Sequence, residues 1–528
     1  MRALICLMAG AALATAADLR IADAAMHEDR DAIRSLIKQK ADVNAAQGDG
    51  MTALHWVAFH DDLESAKLLL AAGANVKAAT RDGAITPLFI ACNNGNAAMI
   101  EALIKAGADA KSATAEGATA LMKAAVSGSA AAIDVLIAHG ADANAKESAH
   151  GQTALMFAAA SDRPEAIKAL IAHGADWKLT SNIVTLERPT LDDDGNPIPL
   201  RPTPKAGDLV GIALAGRRVA PTMMGGMTAL LYAARDGNIA AARALVESGA
   251  DTNQVSASDK SSPMVIAISN AHYELGKMLL DHGADPNVAN ADGLVPLYAA
   301  IDMQWAPVSW VPNAITAQEK VGYLDLMKAL LEKGANPNAR LGRKLWFRPT
   351  SHDQIWIGTA GSTAFWRAAL ATDVAAMKLL VEHGADPKIA TMEETTPLMV
   401  AAGVGWAANF TQNAPGSWMD AVRYCLELGL DVNAKDLFGY TAMHGAAYRG
   451  DNDMVKLLAD RGAKMDGKSR AGYSVTDMAN GPKLNAHLPI EHPETVALLV
   501  KLGAPGPQAP AAGDPKPARG AGPSAEKR

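Results

Sequence analysis

The sequence predicts an all-α solenoid of about twelve helix-turn-helix repeats joined by hairpin-like fingers, with insertions. Two recurrences carry this. A tetrapeptide usually opened by Thr or Ser returns every 33 or 34 residues in the uninterrupted stretches, and a Gly, most often in Gly-Ala-Asp or Gly-Ala-Asn, follows such a copy by 21 residues. Two anchors in fixed phase mark a repeat array, in which no copy buries its own apolar face alone. The composition narrows the class further. With 528 residues, 49% hydrophobic, 20% charged, a formal net charge of −7 and three cysteines, wholesale disorder, a polytopic membrane protein, a broad basic nucleic-acid binder and a disulfide scaffold are all excluded.

The chain opens with a targeting pattern at 1–16. Arg2 supplies the positive start, Ala3 to Ala14 is almost wholly apolar, and Ala14-Thr15-Ala16 fits small-x-small cleavage after Ala16. The apolar run is too short for a comfortable span and Asp18 ends it. Cleavage moves the formal charge from −7 to −8, because Arg2 is lost and no acid is. The mature chain is expected to be exported, periplasmic or extracellular, with no membrane span. Cys92 and Cys425 then fall seven repeats apart. At ~10 Å per layer they lie far beyond the ~7 Å reach of a disulfide and are expected to be free, buried thiols.

The first anchor reads Thr52-Ala-Leu-His55, Thr86-Pro-Leu-Phe89, Thr119-Ala-Leu-Met122 and Thr153-Ala-Leu-Met156, then Thr228, Ser262, Val295, Thr363, Thr396, Thr441 and Ser474, with a degenerate first copy at Leu19. A Thr or Ser here caps a helix, and Pro at the next position suits the first turn. The Ala-Ala pair that follows lets neighbouring helices approach. A second helix carries apolar residues at helical spacing, as in Ile133-Asp-Val-Leu-Ile137. Its end is marked by Gly73, Gly107, Gly140, Gly174, Gly249, Gly283, Gly334, Gly384, Gly429, Gly462 and Gly503, where a left-handed residue stops a helix. Asp49-Gly50, Asp82-Gly83, Glu116-Gly117 and Asp292-Gly293 turn the fingers between pairs.

This pattern resembles the ankyrin repeat, with its T-P-L-H-x-A signature. Gly50-Met-Thr-Ala-Leu-His-Trp-Val-Ala58 and Gly439-Tyr-Thr-Ala-Met-His-Gly-Ala-Ala447 match it almost letter for letter, and the resemblance runs from about Leu19 to Ala504 apart from insertions. It implies an array that binds other proteins through finger tips and the residues after the Ala-Ala pair. Carried onto this chain, the latter are Phe59, His60, Asn93, Asn94, Val126, Ser127, Arg235, Asp236, Ser269, Asn270, Tyr448 and Arg449, with Lys77 and Arg81 on a finger.

The organisation is therefore repeats 1–5 at 17–179, a Pro-rich insertion at 180–226, repeats 6–12 at 227–504 and a Pro/Ala/Gly tail at 505–528 that is expected to be a disordered tether. Further insertions fall near 302–322, 340–362 and 403–417. They gather aromatics: Trp305, Trp310, Trp346, Phe347, Trp356, Trp406, Phe410 and, at the edge, Trp418. Aromatics in loops form either a satellite core or a binding patch. The number of tryptophans favours the core, with part of the lobe expected to contact a ligand.

No catalytic, cofactor-binding or metal-ligating set is legible. H-E-x-x-H, C-x-x-C, G-x-S-x-G and Walker patterns do not occur. Gly403-Val-Gly405 lacks the third glycine of a dinucleotide loop, Ala standing at 408. Asp192, Asp194 and Asn196 alternate like a calcium loop, but Pro197 and Thr203 stand where Gly and Glu are needed. His139, His173, His282 and His383 precede the capping glycines and suit helix C-termini. His487 and His492 offer two ligands without a third. The reading is a monomeric, exported, non-enzymatic scaffold for a protein partner of unknown identity, without cofactor or nucleic acid. The alternatives are a secreted effector acting on a host cell, and a small-molecule binder or enzyme using Asp302, Arg343, His352 and Asp353 in the repeat 8–10 lobe.

Overall fold

The computed structural model describes residues 18–185, 223–307, 316–345, 356–408, 411–416, 418–482 and 490–507. The leader 1–16, most of the Pro-rich insertion, Trp310, Trp346, Phe347, His352, Asp353, Phe410, His487 and nearly all of the tail lie outside these residues. The chain divides into two compact units, Met1–Ser181 with Arg243–Gly249, and Asn182–Ala242 with Ala250–Arg528.

Among the described residues the helices fall into twelve pairs, one for each expected repeat. Repeats 1–5 are Arg20–Met26 with Arg30–Lys38, Ala53–Phe59 with Leu63–Ala71, Pro87–Asn94 with Ala97–Lys105, Ala120–Ser127 with Ala130–Ala138, and Ala154–Ala160 with Pro164–Ala172. Repeats 6–9 are Ala229–Asp236 with Ile239–Glu247, Pro263–Ser269 with Tyr273–Asp281, Pro296–Gln304 with Tyr323–Glu332, and Ala364–Leu370 with Val374–Glu382. Repeats 10–12 are Pro397–Ala402 with Trp418–Glu427, Ala442–Arg449 with Asn452–Asp460, and Val475–Ala479 with Pro493–Lys501. Two short strands, β1 (Ile183–Thr185) and β2 (Met223–Gly225), pair antiparallel where the Pro-rich insertion leaves and rejoins the chain.

Both anchors have the physical roles their chemistry predicts. The hydroxyls of Thr119, Thr228, Ser262 and Thr363 accept from backbone N–H groups three residues on, at 3.2–3.3 Å. The glycines that end the second helices sit at φ between +77° and +104°. Lys40 takes that place in repeat 1 at φ +61° and accepts the strain. Where His follows Thr by three, as at His55, Nδ1 accepts from the Thr52 N–H (3.2 Å), and Nε2–H donates to the Ile85 carbonyl of the next finger (3.0 Å). Burial lowers the pKa of His55 and takes that of His444 down to about 4, so both rings are neutral at neutral pH; His444 Nδ1 accepts from Thr441 N–H (3.1 Å) but its Nε2 is buried without a partner.

Within each unit first helices pack on first helices and second on second. The Ala-Ala pairs 124–125, 158–159, 233–234, 368–369 and 446–447 are buried at these contacts. Two further devices lock the repeats. Backbone bonds join successive fingers, among them Arg81 N–H to Asp49 (2.8 Å), Ala291 to Asp259 (2.8 Å), Met392 to Ala360 (2.8 Å) and Leu437 to Glu393 (2.9 Å). An asparagine four residues past the capping position then brackets the next repeat. Asn338 Nδ2 donates to the Gly384 carbonyl (3.0 Å) while its Oδ1 accepts from Asp386 N–H (2.7 Å). Asn44, Asn144, Asn287 and Asn433 repeat the arrangement.

In several fingers a short polar side chain accepts an N–H group that closes the turn: Thr80, Ser256, Asn290 and Thr391 do so. In repeat 11 this post is Asp436. Its Oδ1 accepts from Phe438 and Tyr440 (2.9 and 2.8 Å), while Oδ2 is buried without a partner. Burial pushes this carboxyl up to about 7.

Two measurements test this account. Leu136, fully buried in repeat 4, is expected to cost about 2–5 kcal/mol on replacement by Ala, read by denaturant melting; a loss well under 1 kcal/mol contradicts the packing. Asp436 has its folded pKa raised above the unfolded value of ~3.9, so its contribution to stability is present below that value and is lost as pH rises through about 7. Asp436→Asn, which copies Asn290, is therefore expected to stabilise the protein by on the order of 1–3 kcal/mol at pH 8. That advantage should shrink towards pH 4, and equal gain at both values contradicts it.

Candidate functional site

The residues expected to face a partner fall into several groups. In repeats 1–2, Phe59 is 56% exposed and packs edge-on to Trp56 and His60 at ring distances of 6.0 and 5.2 Å. The His60 ring also stacks on Trp56 and meets the Met26 carbonyl through Nε2 (3.1 Å). Trp56 Nε1 donates to Gln47, which reaches Asp23. The result is an exposed aromatic patch with acids at its rim. Asn93, Lys77 and Arg81 are exposed beside it in sequence. Asn94 is tied down, donating to the Ala58 and Phe59 carbonyls (3.2 and 2.9 Å), and so ends the preceding helix. In repeat 6, Arg235 and Asp236 neutralise one another in a two-point ion pair (2.7 and 2.8 Å), with the guanidinium 4.8 Å above the Tyr232 ring.

The insertions of repeats 8–10 build a satellite core around the first helices. Arg367, buried on the repeat 9 helix, pairs with Asp302 at 2.8 Å and donates to the Trp305 carbonyl. Trp305 Nε1 and the Tyr323 hydroxyl both donate to Asp373 (2.8 and 2.7 Å), whose other oxygen caps the second helix of repeat 9. Both ends of the 340–362 insertion bury Leu341, Leu345, Ile357 and Ala360. Glu393, on the next finger, accepts from Gly358 N–H (2.6 Å), and its burial raises its pKa. Arg343 is committed to Asp292 at 3.0 Å. Asp302 and Arg343 thus serve separate ion pairs, not one polar centre.

Six residues converge at repeats 10 and 11. Trp356 Nε1 donates to the Trp406 carbonyl (3.2 Å), and its ring meets Tyr440 and Tyr448 edge-on at 5.0 and 5.9 Å. Trp406 meets Tyr448 at 6.5 Å. Tyr448 is buried by this packing, so it acts as support for the cluster and not as its outer face. Arg449 runs between two indoles, 5.1 Å from the Trp406 ring centroid and 4.4 Å from that of Trp418, which remains 40% exposed. Its stem passes over Gly403, where φ is +116° and a Cβ would stand 2.5 Å from the arginine Cδ. Burial lowers the Arg449 pKa to about 10, leaving it charged at neutral pH. The sequence nominated Trp356, Trp406, Tyr448 and Arg449 individually. It carried no signal that joins them to Trp418.

A cleft of about 460 Å³ opens along the second helices of repeats 8, 9 and 10. It is lined by Tyr323, Asp373, Lys378, Asp420, Arg423 and Tyr424, with Ala414–Gly416 of the repeat 10 insertion over one side. Among the described residues no cluster of three or more His, Cys, Asp or Glu is placed to hold a metal ion, and no helix is long and apolar enough to cross a membrane. Cys92 and Cys425 are free and buried. An aromatic surface with one charged centre is equipped for recognition by contact area and by charge.

Comparison with known proteins agrees with the repeat register. The family described as ankyrin repeats matches residues 21–113, 88–181 and 208–302 in its three-copy form and 406–459 in its many-copy form, together more than half of the chain. Similar proteins include alpha-latrocrustotoxin-Lt1a of Latrodectus tredecimguttatus, 28% identical over 233 residues (44% of this chain, 14% of that protein). The E3 ubiquitin-protein ligase KEG of Arabidopsis thaliana is 26% identical over 255 residues (44% and 15%). Ankyrin repeat and SOCS box protein 16 of Mus musculus is 35% identical over 98 residues (19% of each). The chain therefore spans less than a fifth of each relative's length. With twelve helix pairs, both anchors in phase and these matches, the chain belongs to the ankyrin-repeat family.

Proposed function

We propose that the protein is a non-enzymatic scaffold that binds a protein partner through the first-helix and finger surface and the decorated lobe of repeats 8–10. The observation that carries this reading is the aromatic surface at repeats 10 and 11, where Trp418 stays 40% exposed beside Arg449. Large aromatics and arginine dominate binding energy at interfaces. The patch around Phe59 supports a second area of contact. The full mature chain is expected to capture a protein that is captured at least about tenfold less by Trp418→Ala or Phe59→Ala at unchanged melting temperature, a loss of ~1.4 kcal/mol. A chain lacking 302–322, 340–362 and 403–417 provides the comparison for the lobe. Absence of capture by the full chain sinks the scaffold reading.

The leader pattern of 1–16 supports a site of action outside the cytoplasm, in a periplasm or beyond it. Fractionation of the source cells is expected to recover a form that begins at Ala17 in the exported fraction, whereas an intact leader in the cytosol overturns export. Recovery inside a host cell favours the effector reading. The cleft beside Tyr323 and Tyr424 favours one further reading, a small-molecule binder, which a ligand-dependent rise in melting temperature distinguishes.

A further inference from the structure

The guanidinium of Arg449 lies against two indoles, and its charged neighbour Asp451 acts on it without forming an ion pair with it. The cation–π contacts with Trp406 and Trp418 restrain a side chain that is otherwise rich in rotamers. Among the described residues it makes no hydrogen bond and no ion pair. The nearest acid in sequence, Asp451, is already engaged at both oxygens. Oδ1 accepts from Asp453 and Met454 N–H at the start of the repeat 11 second helix, and Oδ2 accepts from the Trp418 indole N–H. The residue is half-buried, so part of its donor fork still faces outward. The site is built for this side chain: Gly403 admits its stem, and Gly445, where a Cβ would stand 2.5 Å from Val404 N, lets the insertion lie against the helix.

We propose that Arg449 anchors a slot for an acidic residue: its guanidinium, set between Trp406 and Trp418, receives a side-chain carboxylate of a protein partner. The assignment rests on the scaffold reading and names the chemistry of the partner. A carboxylate is flat and presents two oxygens that match the two N–H groups of one guanidinium edge. The neighbouring rings cover the apolar stem of an Asp or Glu. A phosphoryl group asks for more donors than one arginine supplies, and no second cation stands beside Arg449 among the contacts of this cluster.

The test uses the full chain with its tryptophan indoles labelled for NMR. It is titrated with N-acetylglutamate N′-methylamide, with the glutamine counterpart and with inorganic phosphate. The glutamate compound is expected to shift the Trp406 and Trp418 signals saturably in the millimolar range, as one charge-assisted pair allows. The glutamine compound should bind at least tenfold more weakly. Arg449→Met, which keeps the stem over Gly403, should lose the response, and Arg449→Lys should retain a weaker one. Equal shifts with glutamate and glutamine compounds, or an unchanged response in Arg449→Met, overturn the slot. Tighter saturation by phosphate overturns the carboxylate and makes the site a phosphoryl one. A partner captured equally by wild type and Arg449→Met leaves the scaffold standing and overturns the slot as its docking point. A carboxylate response without any captured partner sustains the slot and fails the scaffold.

Discussion

Within each unit an inner helix pair has apolar surface on two broad sides that adjacent pairs cover. That constraint explains the small residues first. The buried Ala-Ala pairs bring first helices close enough to seal the contact, and a larger side chain there forces the layers apart. It also explains why polar devices concentrate at the junctions. Finger-to-finger backbone bonds and the asparagine brackets satisfy groups that would otherwise be orphaned at each helix end. Stability then grows by neighbours, as in any quasi-one-dimensional array.

The same constraint governs where extra chain is admitted. Additional residues enter between the two helices of a repeat or in a finger, so neither face of the pair is disturbed. The entropic cost of a longer loop rises slowly with length, and the repeat 8–10 insertions offset it by burying their own apolar residues and meeting the Arg367–Asp302 pair. A lobe with its own small core is thereby added without changing the register of the stack.

The fold was legible because its determinants are local. A threonine that caps, a proline in the first turn and a glycine in the left-handed region act within a few residues, so spacing alone reveals them. The asparagine brackets escaped notice because their partners lie in the next repeat, and because Lys77, Lys111, Lys178 and Lys388 occupy the same post elsewhere. The site was legible only as a list of parts. Tyr448 and Arg449 are adjacent in sequence, yet packing puts the first beneath Trp356 and the second between two indoles from another repeat. Such contacts depend on how the 340–362 and 403–417 insertions lie, and no local rule specifies that. Asp436 likewise reads as an ordinary turn acid until burial is known.

The lysine at 388 marks a seam. Where Asn287, Asn338 and Asn433 stitch their repeats to the next, the junction between repeats 9 and 10 has no such stitch. The 403–417 insertion spans that junction instead, with Ala414 N–H on the Ala371 carbonyl (2.8 Å) and Asn413 on the Thr372 hydroxyl (3.2 Å). A loop that reads as decoration thus serves as the clasp of its own seam. Loosening the clasp is expected to lower the local opening energy at that point, which ties the mechanical integrity of the array to the same segment that carries Trp406.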